Sequence, residues 1–120
     1  MKPHIDKTGF GWIVIDGARY EYDVLIRPDG KIKKRKKALS KKVYGTSHKV
    51  SKEEAKHIFK HAAEKLVVGT GQTGLLELSD DARKFFAKHH CGVELHPTPE
   101  AIDAWNRAGN TVIGLFHLTC

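Results

Sequence analysis

Polar and histidine side chains stand where three predicted strands of this 120-residue chain end. The carboxyl ends of parallel strands lie at one edge of a sheet, and ligands of α/β sheets bind in the crevice at that edge. The sequence therefore predicts a binding crevice built from the residues after each strand, joined by a histidine from a loop of turn residues. The predicted members are His48, Gly69, Thr70, Gly71, Gln72, His96, Thr98, His117 and Cys120.

Two kinds of chemistry fit these crevice residues. A helix that begins at Thr98 would point its N-terminus into the crevice, which favours a small anion or the acidic group of a protein partner. Alternatively, His48 or His117 could act as acid or base, with Cys120 as a thiolate. His117 and Cys120 are expected on opposite strand faces, and neither has a neighbouring carboxylate in the sequence. A third interpretation is structural, with ordinary turn and capping residues and His117 packed in the sheet.

The glycines Gly69, Gly71 and Gly74 form a G-x-G-x-x-G pattern directly after an apolar run. In a dinucleotide-binding fold the helix begins at once after this turn and aims its N-terminus at the pyrophosphate. Here residues 75–78 intervene, and a helix cap comes only at Ser79. The pattern therefore predicts a sharp exit from the sheet, for which glycine supplies positive φ angles. No cofactor is expected.

The other histidines and the cysteines predict neither a metal site nor a disulfide. His57 and His61 have the i, i+4 spacing of a metal pair, but they are expected on a solvated helix face without a third ligand. Cys91 precedes one predicted strand and Cys120 follows another, so we expect them at opposite edges of the sheet. At ~3.3 Å per residue they would be roughly 17 Å apart, beyond the Cα distance of about 7 Å that a disulfide allows.

The net charge of +7 comes from one segment, because eight of the twelve residues 31–42 are Lys or Arg. A basic run can contact the phosphates of nucleic acid, but this one has few groups that could read bases or stack on them. We expect weak, sequence-independent binding that is lost at physiological salt. The alternative is an edge strand whose charge discourages pairing with other chains. The candidate contacts are Lys33, Lys34, Arg35, Lys36 and Lys37.

The elements that must position these residues begin with an antiparallel meander. Strand-like runs at 10–15 and 19–26 flank Asp16-Gly17, a strong hairpin signal. A turn at 28–30 then leads to a third, lysine-rich run at 31–37, which suits an edge strand. Residues 37–51 are expected to be irregular.

Helices and strands alternate in the second half of the chain. Ser51 opens a capping box with Glu54, Ser79 caps a second helix, and Thr98 caps a third with proline at its first position. Strands are expected at 66–69, Gly92–His96 and 111–119, and the short connections imply that they are parallel. The fold class is therefore α/β, with an N-terminal antiparallel meander and three parallel strands in one mixed sheet. The predicted core faces of the helices are Ala55, Ile58, Phe59, Ala62 and Leu66; Ala82, Phe85, Phe86 and His89; and Ala101, Ala104, Trp105 and Ala108.

The sequence resembles a family of small α/β domains in five segments: FGWIVIDGARYEYDVLI, GTSHKVS, LVVGTGQTGLLELS, HPTPEAIDAWN and LFHLTC. That family includes a mitochondrial complex I assembly factor, a mammalian adipogenesis-associated protein and many archaeal and bacterial members without an assigned function. The segment KKRKKALSKK resembles the archaeal members. The resemblance implies a three-layer α/β fold with a mixed sheet, and it supplies no catalytic residue. Trp105 is a small departure, since Tyr often stands there.

Length and composition favour one domain over residues 1–120. The apolar runs are too short to span a bilayer, no signal-peptide pattern is visible, and we expect a cytoplasmic protein without membrane association. One Gln and two Asn among many Lys and Glu residues are typical of a thermophile. The leading hypothesis is a non-enzymatic accessory domain that binds a small anion or a protein partner in the predicted crevice.

Overall fold

Residues 2–120 are described by a computed structural model, and the first of them form a three-stranded antiparallel sheet. Its strands are β1 (Ile5–Gly9), β2 (Trp12–Ile15) and β3 (Ala18–Tyr20). The turn between β2 and β3 has φ of 48° at Asp16 and 80° at Gly17. Two positive φ angles are what a tight hairpin of the right twist requires, so the predicted hairpin is confirmed.

The predicted strand at 19–26 is two strands in different sheets. After β3 the chain turns a corner at residues 21–23 and enters β4 (Val24–Ile26), which belongs to a second sheet with β5 (Ile32–Lys34). The predicted run at 31–37 was also too long. Residues 38–44, which were expected to be irregular, form the helix α1 (Ala38–Tyr44), which ends at Gly45 with a left-handed φ of 71°.

The second sheet has five strands in the order β5-β4-β10-β7-β9. Its parallel members are β7 (Lys65–Thr70), β9 (Gly92–His96) and β10 (Val112–His117), while β4 is antiparallel to β10. The predicted mixed α/β sheet is confirmed, although the first three strands form a sheet of their own. A short parallel pair, β6 (Lys49–Val50) with β8 (Glu77–Leu78), lies outside both sheets.

Three further helices follow the alternation that the sequence predicts: α2 (Lys52–Ile58), α3 (Asp80–Lys88) and α4 (Thr98–Arg107). The hydroxyls of Ser51 and Ser79 accept N-cap hydrogen bonds as expected. The first predicted helix was too long, because α2 ends at Ile58 and the predicted face residues Phe59, Ala62 and Leu66 lie beyond it. His61 is also outside that helix. His89 caps the end of α3 and is exposed, where partial burial was expected.

Both faces of the five-stranded sheet are covered, which produces three layers. Val67 and Phe116 pack towards α4 and the small N-terminal sheet, whereas Val68 and Leu115 pack towards α2 and α3. Successive strand residues therefore point into different cores. The sequences of these strands are therefore nearly continuous apolar runs, which is typical of parallel strands buried on both faces.

Candidate functional site

One side of the predicted crevice is closed by hydrogen bonds between its own residues. The Gly71 N–H donates to Thr98 Oγ1 at 2.9 Å, and the Thr98 N–H donates to the Gly71 carbonyl at 2.9 Å. The Thr98 hydroxyl in turn donates to the carbonyl of His117 at 2.6 Å. Thr98 is the first residue of α4, not its cap, which is Pro97. Both polar hydrogens of Thr98 are therefore used inside the protein.

The C-terminal residues complete this closure. The Gln72 N–H donates to the Thr119 carbonyl at 2.7 Å, and the Leu75 N–H donates to the Cys120 carbonyl at 3.0 Å. At Gly71, where φ is +107°, a Cβ would lie 2.3 Å from the carbonyl carbon of Cys120. Glycine is required here because the chain approaches its own C-terminal segment so closely. The glycine pattern is thus an exit from the sheet, as the sequence interpretation has it.

The remaining predicted crevice residues are divided between this closed side and more distant positions. Gly69 faces Thr98 and Phe116 at the closed side, and Thr70 is buried. His96 lies on the edge strand β9, where its Nε2 is 2.8 Å from Glu94 Oε1. These positions place Gly69, Thr70, Gly71, Gln72, Thr98 and the Cys120 backbone together and leave His96 apart.

The ring of His117 packs against Gly71, where an added Cβ would lie 3.0 Å from its Cδ2, and it also contacts a carboxylate that sequence reasoning missed. Its Nδ1 is 2.7 Å from Asp23 Oδ2, and the Leu118 N–H donates to Asp23 Oδ1 at 2.9 Å. A carboxylate only accepts hydrogen bonds, so Nδ1 donates and Nε2 of a neutral imidazole is left as an acceptor. The corner at residues 21–23 is what places Asp23 here.

Asp23 belongs to a buried ionic network centred on Arg35. The guanidinium donates to Asp23 at 3.0 Å, to both carboxylate oxygens of Glu54 at 2.7 and 3.0 Å, and to the Ser47 carbonyl at 2.8 Å. The hydroxyl of Ser40 also donates to Glu54. The prediction that Arg35 contacts nucleic-acid phosphates is therefore wrong, because only 4% of the residue is exposed. One feature of the sequence distinguishes Arg35 from its neighbours, because it is the single arginine within the lysine run 31–42.

The network shifts the pKa values of Asp23 and Arg35. Burial alone would raise the pKa of the Asp23 carboxyl, but the hydrogen bonds from His117 and Leu118 and the charge of Arg35 bring that pKa below its ordinary value. Burial would lower the pKa of Arg35, and the two carboxylates more than reverse this effect, so the pKa is raised. Asp23 is consequently an ionised, oriented partner for the imidazole.

A cavity of about 320 Å³ opens in front of these groups, and we call it the His117 cavity. The ring of His48 meets that of His117 edge-on at a centroid distance of 5.2 Å, and Thr119 Oγ1 lies 3.4 Å from His117 Nε2. Lys34 Nζ lies 5.4 Å from the centroid of the exposed ring of Tyr22. The lining residues are Gly11, Glu21, Tyr22, Asp23, Lys34, Arg35, Lys37, Ser47, His117, Leu118 and Thr119.

A larger hollow of about 480 Å³ lies at the opposite edge of the sheet, where the parallel strands begin. It is lined by Lys65 and Glu94, whose side chains form a half-exposed pair at 2.6 Å. No oriented imidazole or buried ion network faces it among residues 2–120. We therefore regard the His117 cavity as the candidate site.

The cysteines stand apart from this chemistry. Cys91 is buried behind α3, and burial raises the pKa of its thiol to about 11. A thiol with so high a pKa is a poor nucleophile at neutral pH. Cys91 and Cys120 are both free.

Solved structures share this fold over their whole length. The conserved hypothetical protein PH1505 from Pyrococcus horikoshii OT3 is 34% identical, covers 100% of both chains and has a TM-score of 0.91. The protein MT938 is 29% identical over 99% of this chain and 100% of its own, with a TM-score of 0.84. An outer membrane protein from Bartonella henselae, 18% identical with a TM-score of 0.66 and coverage of 99% and 97%, shows the fold alone.

Three further findings concern the helices, the curated proteins and the family. None of the helices within residues 2–120 has the length and apolar character needed to cross a membrane. No curated protein matches the sequence. Residues 5–117 match the family described as "Protein of unknown function (DUF498/DUF598)", and the chain therefore belongs to that family.

Proposed function

We propose that this protein binds a small anionic molecule in the His117 cavity. The observation that carries the proposal is an imidazole held by Asp23 at the floor of a cavity whose rim bears Lys34 and Lys37. The lysines supply positive charge and N–H donors for the anion, while the acceptor Nε2 of His117 can receive a hydrogen bond from the O–H of a hydrogen phosphate or of a protonated carboxyl group. Both are features of sites that recognise a carboxylate or a phosphate.

The charge distribution around the cavity supports an anion over a cation or a neutral ligand. Two exposed lysines, Lys34 and Lys37, line the opening, and Lys33 and Lys36 beside them in the sequence are also exposed. A rim of one sign concentrates ions of the other sign and accelerates their arrival. Glu21 also lines the cavity, so the ligand's negative group must lie on the lysine side.

His117 is the one predicted crevice residue at the centre of the proposed site, which does not use the polar groups of Gly71 and Thr98. The N–H groups of the closed side donate to the protein's own hydroxyl and carbonyl oxygens. An anion there would have to displace those hydrogen bonds, whereas the His117 cavity has volume in front of its polar groups.

Titration of ¹⁵N-labelled protein with inorganic phosphate, and separately with succinate, tests the proposal. We expect chemical-shift changes around Tyr22, Lys34, Ser47 and His117. The K34Q/K37Q variant should bind about tenfold more weakly, because loss of two nearby charges removes roughly 1–2 kcal/mol. The matched control K60Q/K88Q removes two exposed lysines elsewhere and should bind as wild type does. Shifts centred on Thr98 and absent from Tyr22 and Lys34, or equal weakening in both variants, would contradict the proposal.

We also propose that the chain acts as one cytoplasmic domain, related to the complex I assembly factor and the adipogenesis-associated protein that its motifs resemble. The sheet forms a wall of both cores, which supports one domain. Two free thiols suit a reducing compartment. Fractionation of the source cells checks the location, and a pool that stays with membranes at high salt would contradict it.

A further inference from the structure

We propose that Thr119, His117 and Asp23 act as nucleophile, base and positioning carboxylate, and that the protein hydrolyses small esters in the His117 cavity. The inference goes beyond anion binding, because it assigns a covalent step to a hydroxyl. The three side chains form one row: Asp23 Oδ2 to His117 Nδ1 is 2.7 Å, and His117 Nε2 to Thr119 Oγ1 is 3.4 Å.

Thr119 is more exposed than His117, which suits a nucleophile that a substrate must reach and a base that lies behind it. Thr119 is partly exposed and lines the cavity, so a substrate can reach its hydroxyl. The imidazole behind it is only 3% exposed, which keeps bulk water from its nitrogen. The distance of 3.4 Å is longer than that of a working proton-transfer pair, and such contacts commonly tighten only when the substrate binds.

Asp23 has its orientation fixed from three directions. It accepts hydrogen bonds from Arg35, from the Leu118 N–H and from His117. The imidazole proton is therefore held on Nδ1, and Nε2 faces the hydroxyl, as in other hydroxyl–imidazole–carboxylate rows. Lys34 and Lys37 line the same cavity as Thr119, and their positive charge would stabilise an oxyanion that develops there.

The reaction balances with water as the second substrate. His117 Nε2 accepts the Thr119 hydroxyl proton while Oγ1 bonds to the ester carbonyl carbon. The tetrahedral intermediate breaks its bond to the alcohol oxygen, which leaves with the proton from Nε2. A water then gives a proton to Nε2 and attacks the acyl group on Thr119. The carboxylic acid departs, and Oγ1 recovers the proton.

Labelling with a fluorophosphonate, a probe for activated hydroxyls, tests the inference on the whole chain. The last Lys or Arg is Arg107, so trypsin releases residues 108–120 as one peptide, and mass spectrometry locates the adduct within it. We expect a single adduct on Thr119 in the wild type and in T119S, and none on this peptide in T119V. H117Q should react at least about 100-fold more slowly, because general-base assistance contributes 10²–10⁴.

Several outcomes would overturn the inference. Absence of an adduct on wild-type protein, or equal labelling of T119V at this peptide, removes Thr119 as the nucleophile. In D23N, the positioning role predicts both a slower rate and a changed pH dependence of labelling, and an unchanged pH profile contradicts it. The Thr119 hydroxyl makes a single long hydrogen bond among residues 2–120. T119V should therefore remain folded, and phosphate-induced shifts in that variant test anion binding separately.

Discussion

The two sides of the strand ends use similar residues in opposite ways. On the closed side, Gly71 and Thr98 bond to each other, the Thr98 hydroxyl donates to the His117 carbonyl, and the Cys120 carbonyl accepts from the Leu75 N–H. On the open side, His117 and Asp23 also bond to each other, but a cavity remains in front of them. Polar residues at the carboxyl ends of strands are thus insufficient to mark a site.

The difference arises from what approaches each strand end. A glycine without Cβ allows two backbone segments to meet directly, so their polar groups satisfy one another without leaving space. On the open side, long charged side chains arrive together with their counter-charges, and they hold the backbones apart. A buried ion network supports the candidate site, whereas close backbone packing seals the other side.

The largest loss of stability on the open side is expected for the variant R35M. This change removes the cation that contacts both Glu54 and Asp23, and two carboxylates then stay buried without its charge. We expect a loss of about 3–5 kcal/mol in the free energy of unfolding, measured with urea. The neighbouring K36M, at an exposed position, should change it by less than about 0.5 kcal/mol. Similar values for the two variants would show that the network contributes nothing to stability.

On the closed side, the variant G71A should lower the stability of the protein. The new methyl group would collide with the Cys120 backbone, and φ would remain unfavourable for alanine. Strain and overpacking together predict a loss of about 2–4 kcal/mol in unfolding free energy. Gly109, with no atom within 4 Å of a new Cβ and no positive φ, provides the control, and G109A should be neutral or stabilising by up to about 1 kcal/mol. Equal effects at both glycines would contradict the close approach.

Acid should weaken the open side through Asp23. Folding lowers the pKa of this carboxyl from its ordinary value of 3.8, although burial opposes the change. Its stabilising contribution is therefore complete above pH 3.8 and is lost as the pH falls through the folded pKa. The stability difference between wild type and D23N, from urea unfolding at pH 7, 5 and 3, should shrink only at the lowest pH. A constant difference would show that ionisation of Asp23 is not the cause.

The smallest effect is expected from the exposed lysines. K33Q/K34Q/K36Q/K37Q should leave stability within about 0.5 kcal/mol per substitution. Wild-type binding to duplex DNA should be weak, independent of sequence and lost at physiological salt, with a salt slope of about 0.9 per phosphate contact. A complex that survives physiological salt and is abolished by this variant would instead make the basic segment the functional site. Fluorescence anisotropy at several salt concentrations measures this binding and distinguishes weak, nonspecific contact from a functional basic segment.

Local signals predicted most of the elements and missed α1. The hairpin at Asp16, the caps at Ser51 and Ser79 and the parallel strands all depend on residues a few positions apart. In contrast, α1 has no side-chain N-cap and no acidic residue in its first turn. Ser40 is instead buried against Ser51 and Glu54. Contacts with a distant segment support this helix, so its own sequence carries little evidence for it.

The sequence alone determined the alternation of helices and strands, the mixed sheet and the glycine exit at Gly71, because periodicity, caps and turn chemistry act over short distances. Only the tertiary structure decided which strand end is open. Asp23 and His117 are 94 residues apart in the chain, and Arg35 reaches Glu54 across 19. Pairs so distant leave no periodic pattern. Their meeting follows from the corner at residues 21–23 and from the burial of charges that must find partners away from water.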